Sequence, residues 1–134
     1  MPATLSEGVK KLFQEPNFAH LATLMPDGSP QVTPVWVDLE GDRIVVNTAE
    51  GRVKPRNVRR DPRVAVSIVR QDNPYQSAFI RGRVVELRHE GADDSIDRLA
   101  KKYMGQDRYP WRQPGEQRLI MIIEPERIAT MMVD

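Results

Sequence analysis

The amino-acid sequence predicts a mainly β protein, an antiparallel barrel of six or seven strands with two or three short helices added to it. Short apolar runs rich in β-branched residues recur along the chain. Gly, Asp and Pro residues typical of tight turns separate these runs. Only residues 93–104 show a clear helical periodicity of apolar side chains. The length of 134 residues fits a single domain covering residues 1–134.

The first three strand-like runs predict an antiparallel meander. The run "FAHLATLM" is followed by Pro26-Asp27-Gly28, "QVTPVWVDL" is followed by Glu40-Gly41-Asp42, and "RIVVNT" comes next. Pro34 lies inside the second run, and a proline cannot donate a hydrogen bond to a neighbouring strand. We therefore expect this strand to lie at an edge, to be bulged, or to open toward a ligand.

The second half of the chain continues the strand pattern. "VAVSIVR" is one strand, and "SAFIRGRVVELR" is a long strand in which Gly82 marks a bulge or a close approach of two backbones. The last two runs, "RLIMIIE" and "RIATMMV", are expected to be separate strands broken at Pro125.

Three segments have the start and stop signals of helices. Ser6 is a good N-cap for "SEGVKKLF". Residues 54–60 form one or two turns, with Pro55 suited to the first helical position. Residues 93–104 form the clearest helix, capped by Asp93 or Asp94 and closed by Gly105.

Composition excludes several classes of site. The sequence contains no Cys, which excludes disulfides, thiolate nucleophiles and Cys-ligated metals. Its two His residues lack the spacing of a metal site, so no metal is expected. No apolar run approaches a membrane span and the first residues lack a signal-peptide core, so we expect a cytoplasmic protein with no membrane partner.

The segment 52–63 concentrates positive charge. It holds six Arg or Lys residues and one Asp, whereas the whole chain has 20 basic and 19 acidic residues. Lys54 stands at the predicted helix start, where free backbone N–H groups also favour an anion. A solvated face with paired carboxylates is the alternative. A nucleic-acid-binding barrel is disfavoured because the net charge is close to zero.

Two segments also resemble a known superfamily. "FAHLATLMPDGSPQVTPVWVDLEGDRIVVNTAEG" looks like an opening hairpin with an A-T-…-DG-P signature, and "RVKPRNVRRDPRVAVSI" looks like the helix that ends in DPRV. The chain thus resembles the split β-barrel flavin and deazaflavin oxidoreductases, which include pyridoxamine 5′-phosphate oxidase, and is most similar to the group that uses the 8-hydroxy-5-deazaflavin coenzyme F-420. The resemblance implies an FMN-binding split barrel fold and a homodimer.

The resemblance also implies a set of cofactor-binding residues. Those beside the cofactor phosphate are Asn47, Thr48, Ala49, Arg52 and Lys54. Those along the flavin-like ring are Gln31, Val32, Pro34 and Trp36. Those facing the oligoglutamate tail, which F-420 carries and FMN lacks, are Arg56, Arg59 and Arg60. Those reaching the cofactor from the partner subunit are Gln76 and Ser77.

The expected function is hydride transfer from reduced F-420 to an unsaturated small-molecule acceptor such as a conjugated carbonyl, with no catalytic side chain identified. Two alternatives stay open, an FMN-binding protein similar to pyridoxamine phosphate oxidase and a barrel that binds a ligand without turnover. The C-terminal segment "EPERIATMMVD" lacks the Arg-x-His element of the oxidases, which disfavours that activity. Tyr109 and Trp111 lie in a proline-bearing loop and suit either a lid over substrate or a dimer contact.

Overall fold

The computed structural model describes residues 2–134, and these form one seven-stranded antiparallel sheet with three helices. The helices are α1 (Glu7–Gln14), α2 (Val53–Arg60) and α3 (Ala92–Met104). The strands are β1 (Ala19–Leu24), β2 (Pro30–Val35), β3 (Val37–Glu40), β4 (Arg43–Ala49), β5 (Arg63–Arg70), β6 (Asn73–Arg88) and β7 (Arg118–Met131). The mainly β prediction is confirmed.

The strand order explains why the sheet closes into a split barrel. The order is β2-β1-β5-β6-β7-β4-β3, so β2 and β3 occupy the two opposite edges. Only Trp36 separates these two strands along the chain. Because one residue spans a few ångströms at most, the two edges must come together, and the sheet curls around its apolar face.

Two strand predictions are wrong. The run "QVTPVWVDL" is not one strand, because the chain leaves β1 as its partner at Val35 and pairs with β4 from Val37 onward. The final runs are one continuous strand, β7, because Pro125 lies opposite Gly82 at a shift in register where a missing N–H is tolerated. The edge position predicted from Pro34 is confirmed, since β2 pairs only with β1.

The core lies inside the curled sheet, and α1 closes one end of it. Fully buried side chains come from every strand except the edge strand β2, and α1 adds Val9, Leu12 and Phe13. Ser6 caps α1 as predicted, its Oγ accepting a hydrogen bond of 3.2 Å from the Val9 N–H. Burial of this apolar surface is the main stabilising contribution.

The other two helices begin earlier than predicted. α2 begins at Val53, so Pro55 occupies its third position, where no intrahelical hydrogen bond is lost because the first N–H groups have no acceptor. α3 begins at Ala92 with Gly91 at the N-cap in a left-handed conformation, rather than with Asp93 or Asp94. Gly105 closes α3 as predicted, its N–H donating to the Lys101 carbonyl.

The close approach predicted at Gly82 is confirmed. A Cβ atom built on Gly82 would lie 2.2 Å from the Glu124 carbonyl oxygen, well inside van der Waals contact. Only glycine therefore permits β6 and β7 to pair through the bulge.

We expect Gly82→Ala to lower the free energy of unfolding by about 3 kcal/mol, since backbone must move to admit the methyl group. Gly28→Ala is the matched control: Gly28 has φ +85° but open space around it, so its cost is about 1 kcal/mol of backbone strain. Urea denaturation of both variants measures the difference. Equal losses of stability would show that the contact with Glu124 does not constrain the sheet.

Candidate functional site

A cavity of about 290 Å³ lies where the β2–β3 junction, the end of β4 and the start of α2 meet. α3 and the loop between α3 and β7 complete its walls. Its lining residues are Phe18, Pro34, Val35, Trp36, Asn47, Arg52, Lys54, Ile96, Leu99, Tyr109, Trp111 and Arg118. The structure thus brings together five residues predicted to bind a cofactor: Pro34, Trp36, Asn47, Arg52 and Lys54.

Aromatic rings form one wall of this cavity. Trp36 lies flat on Tyr103, with ring centroids 5.3 Å apart and planes 6° from parallel. Tyr109 and Trp111 come from the loop after α3 and pack on Trp36 at 6.1 and 6.3 Å between centroids. The cavity is therefore flat-walled and apolar on this side, which suits a planar conjugated ring.

Tyr103 holds Trp36 in place through a fixed hydroxyl group. Its hydroxyl donates to the Asn17 carbonyl at 2.6 Å and accepts from the Val37 N–H at 3.1 Å. Burial raises the pKa of Tyr103 to about 12, so the group stays protonated at neutral pH. The neighbouring Lys102 donates to the Val37 carbonyl at 2.6 Å. Together these bonds fix the chain on the C-terminal side of Trp36.

The loop over the cavity is anchored to α3 by one carboxylate. Asp97 Oδ1 accepts from the Tyr109 N–H at 2.9 Å and from Arg112 Nη2 at 2.7 Å. Arg112 also pairs with Asp93 at 3.0 Å. These contacts place Tyr109 and Trp111 over Trp36, the position of a lid.

Lys54 is the cation of this cavity without an acidic partner. Its side chain is half-buried, and its Nζ donates to Thr33 Oγ1 at 3.2 Å. Within residues 2–134 no carboxylate lies within 4.0 Å of Nζ. Burial first, and the charge of Arg52 second, lower the pKa of Lys54 from its ordinary value. A half-buried ammonium group without a counter-charge is a favourable site for an anion.

Arg118 is a cavity residue that sequence analysis missed. It is buried, its Nε donates to Asn47 Oδ1 at 2.9 Å, and its Nη1 donates to Glu116 Oε1 at 3.1 Å. Its guanidinium also lies 5.1 Å from the centre of the Tyr109 ring. Asn47 donates in turn to the Ala92 carbonyl at 2.8 Å. In the sequence, Arg118 could have been noticed as an arginine at the start of the apolar run "RLIMIIE".

Thr48 and Ala49, the next two residues of β4, are buried, and neither is among the residues that line the cavity. Thr48 Oγ1 has no hydrogen-bond partner within residues 2–134. A buried hydroxyl group without a partner is rare in a native fold and is typical of a site that a ligand or an ordered water completes.

The other cations of α2 differ in how far they are already paired. Arg59 makes two bonds of 2.7 and 2.8 Å to Glu50, and His89 Nε2 lies 2.6 Å from the same carboxylate. The hydrogen bonds from Arg59 and then His89 lower the pKa of Glu50 to about 2, so this pair stays charged at neutral pH. Arg56 and Arg60 donate only to carbonyl and amide oxygens.

Four further residues predicted to bind the cofactor lie outside this cavity. Gln31 accepts from Thr23 Oγ1 at 3.4 Å, and Val32 is 61% exposed on the outer face of the sheet. Gln76 accepts from Arg70 Nη1 at 2.9 Å, and Ser77 is buried in β6. Gln76 and Ser77 were expected to act from a partner subunit, and this expectation stays a prediction.

Comparison with known proteins assigns the family. A family model described as pyridoxamine 5′-phosphate oxidase matches residues 5–132. The chain belongs to the pyridoxamine 5′-phosphate oxidase family. A solved structure described as "F420 Reductase" is 30% identical, with a TM-score of 0.81, over 93% of this chain and 98% of that chain.

More distant members of the fold are found among bacterial proteins. A conserved hypothetical protein from Mycobacterium tuberculosis is 23% identical, with a TM-score of 0.70, over 96% of this chain and 85% of that one. General Stress Protein 26 from Bacillus anthracis is 15% identical, with a TM-score of 0.69, over 96% and 94%. At these identities the likeness establishes the fold alone.

Two further observations describe residues 2–134 of this family member. None of its three helices combines the length and the apolar character needed to cross a membrane. The described part of the chain also contains no group of three or more His, Asp or Glu side chains placed to hold a metal ion.

We expect Arg118→Met to lower the free energy of unfolding by about 3 kcal/mol, because it leaves the Asn47 amide oxygen without its donor and leaves the buried Glu116 carboxylate with only the longer contact of 3.6 Å to Arg52. The double variant Arg118→Met/Glu116→Gln removes this incompletely paired charge and should recover part of the loss. Urea denaturation measures both. A double variant no more stable than the single one would show that the pairing of Arg118 with Glu116 is not the source of the effect.

Proposed function

We propose that this chain binds the deazaflavin coenzyme F-420 and acts as an F-420-dependent reductase on an unsaturated organic acceptor. The family is one of oxidoreductase folds that bind flavin-type cofactors, and the 30%-identical neighbour described as an F420 reductase favours this cofactor among them. The observation that carries the proposal is Lys54, a half-buried cation without a carboxylate partner beside a flat aromatic cavity.

The residues present fit such a cofactor. Lys54 supplies charge for its phosphate, together with Arg52, which also pairs with Glu116 at 3.6 Å. Thr48 has a hydroxyl group without a partner within residues 2–134, but it does not line the cavity. Asn47 and Ala49 shape the end of β4 beside them. Pro34 and Trp36 line the cavity where a ring would lie, whereas Gln31 and Val32 continue β2 outside it.

The cations of α2 suit the glutamate tail of F-420 to different degrees. Arg56 and Arg60 are exposed and have no carboxylate partner within residues 2–134, so they are available to an anion. Arg59 is held by Glu50 and contributes mainly by positioning. FMN has one phosphate and no tail, and so would leave Arg56 and Arg60 unused.

The chemistry divides between cofactor and protein. When bound, reduced F-420 supplies a hydride, and the acceptor gains two electrons and takes one further proton from water or the protein. The protein orients the ring against Trp36, excludes water beneath Tyr109 and Trp111, and holds the acceptor in the apolar part of the cavity. No side chain in the cavity is assigned as the proton donor.

We further propose a homodimer formed through the outer face of the sheet. Val32, Phe79 and Met131 expose apolar side chains on that face, from strands β2, β6 and β7. A hollow of about 520 Å³ is lined by Val32 and Phe79 together with His20 and Ala129, and Arg81 and Arg127 lie at it as well. A second copy packed there would bury this surface and could bring its Gln76 and Ser77 toward the cofactor.

Direct comparison of cofactors tests the function. The purified protein is titrated separately with F-420, followed by quenching of deazaflavin fluorescence, and with FMN, followed by flavin fluorescence. We expect F-420 to bind more tightly, because only its tail reaches Arg56 and Arg60. Tighter binding of FMN would instead support the alternative flavin protein, and F-420 binding without oxidation by a panel of enones would support a carrier.

Lys54→Ala should weaken F-420 binding about 10- to 150-fold, the range given by the roughly 1.5–3 kcal/mol of a hydrogen bond to a charged group. Lys11→Ala is the matched control, because Lys11 is exposed on α1 and lies outside the cavity. Fluorescence titration measures both dissociation constants. An unchanged constant for Lys54→Ala would remove Lys54 from the site.

F-420 affinity should also fall as pH rises, starting below the ordinary lysine pKa of 10.5. Burial lowers the pKa of Lys54, so its positive charge, which the anion needs, is present below that lowered pKa and is lost as pH rises through it. In Lys54→Arg the charge persists, because arginine stays protonated. Titrations across this alkaline range should therefore show a decline for the wild type and a flatter profile for the arginine variant. Identical profiles would assign the pH dependence to another group.

A further inference from the structure

A second group of cations lies on the outer face of the sheet, away from the aromatic cavity. Arg63 begins β5, Arg81 and Arg83 lie on β6, and Arg127 lies on β7. On β6 the intervening residues Ile80, Gly82 and Val84 are buried, so the arginine side chains point outward. Three adjacent strands therefore present four guanidinium groups to the same surface.

The register of the sheet places these arginines directly opposite one another. Arg81 pairs across strands with Arg127, and Arg63 pairs with Arg83. Like charges in directly opposite positions destabilise a sheet. Arg63 is compensated by Asp61 at 2.8 Å. Within residues 2–134, Arg81, Arg83 and Arg127 have no carboxylate within 4.0 Å. The chain itself thus leaves this repulsion largely unbalanced.

A cavity of about 570 Å³ opens between these arginines. Arg63, Arg81 and Arg127 line it, and Glu126 is the one carboxylate residue among its lining residues. Arg81 and Arg127 also line the hollow of the proposed homodimer contact, so this cavity adjoins that contact. Its remaining walls are mostly small or apolar: Ala22, Thr23, Leu24, Pro30, Val64, Ala65 and Gly82. It is therefore a hollow with an excess of positive charge, large enough for several carboxylate groups.

The C-terminal end of α2 connects this hollow to the first site. Arg60 Nη2 donates to the Leu24 carbonyl at 3.0 Å, and Leu24 lines the arginine hollow. Lys54, at the other end of the same helix, lines the aromatic cavity. Arg60 lies six positions after Lys54 in the helix, about 9 Å along the axis, a distance that a few linked glutamates cover.

We propose that the hollow lined by Arg63, Arg81 and Arg127 is a second anion subsite, which binds the distal carboxylates of the oligoglutamate tail. This inference rests on the proposed binding of F-420. The tail passes Arg56 and Arg60 along α2 and ends against the arginines of β5, β6 and β7. Its carboxylates neutralise the cross-strand pair Arg81–Arg127, which has no carboxylate within 4.0 Å among residues 2–134.

The affinity for the cofactor should therefore depend on the length of its glutamate tail. Exposed ion pairs are each worth little, so the hollow adds to affinity only when several carboxylates reach it. A cofactor without glutamates occupies the Lys54 end alone, and a long tail occupies both ends.

Dissociation constants for F-420 without glutamates, with a short tail and with a long tail test the proposal. They are measured for the wild type and for Arg81→Gln/Arg127→Gln. The matched control, Lys11→Gln/Arg98→Gln, loses the same charge from exposed residues of α1 and α3 outside both cavities. Sedimentation of each protein reports its oligomeric state, and thermal unfolding reports whether it is folded.

We expect the wild type and the control to bind the long-tailed form more tightly than the form without glutamates. The Arg81→Gln/Arg127→Gln variant should lose roughly three- to tenfold of that advantage while binding the tail-free form normally. Lys54→Ala should instead weaken all three forms by a similar factor. The Arg81/Arg127 variant should also be at least as stable as the wild type, because a repulsive pair is removed.

An undiminished advantage of the long tail in the Arg81/Arg127 variant overturns the proposal. So does an equal loss for all three forms. Loss of self-association with an unchanged tail dependence would assign these arginines to the contact between copies, which also overturns it. Failure of every form of F-420 to bind the wild type would instead contradict the proposed function itself.

Discussion

The single residue between the two edge strands is the constraint on which the rest of the structure depends. Trp36 ends the pairing of β2 with β1 and precedes the pairing of β3 with β4, at opposite ends of the sheet. The sheet must curl to satisfy both pairings, and the chain cannot be fully paired where it crosses. The aromatic cavity opens at that crossing, so closure of the barrel and formation of the site have the same origin.

The basic side chains fall into two groups, those already paired with a carboxylate and those available to an anionic ligand. Glu50, Asp61 and Glu116 pair with Arg59, Arg63 and Arg52, three arginines of the basic segment, and these pairs fix the local geometry. Lys54 and Arg60 have no such partner within residues 2–134, and they stand near opposite ends of α2. The two interpretations of the basic segment, an anion site and a solvated face of paired charges, therefore both apply. Arg59 is paired with a carboxylate, whereas Lys54 and Arg60 are available to an anion.

Much of the fold could be predicted because its determinants are local. Turn residues, the Ser6 cap, the need for glycine at position 82 and the family resemblance each leave a signal within a few residues. The misassigned strands lacked such a signal, since the change of partner at Trp36 and the bulge at Pro125 depend on distant strands. Arg118 was missed for the same reason: its role comes from Asn47, 71 positions earlier in the chain. The cavity residues that had been predicted to bind a cofactor were predicted from the family resemblance, not from local sequence patterns.

The hydroxyl group of Tyr103 has a thermodynamic consequence. It bridges Asn17, just before β1, and Val37, at the start of β3, while its ring supports Trp36. Any molecule that requires a flat Trp36 therefore also favours the joined edges of the sheet. By linkage, occupancy of the aromatic cavity and resistance of the whole barrel to unfolding rise together. The melting behaviour of the protein thus reports on its ligand, even one bound without any chemical turnover.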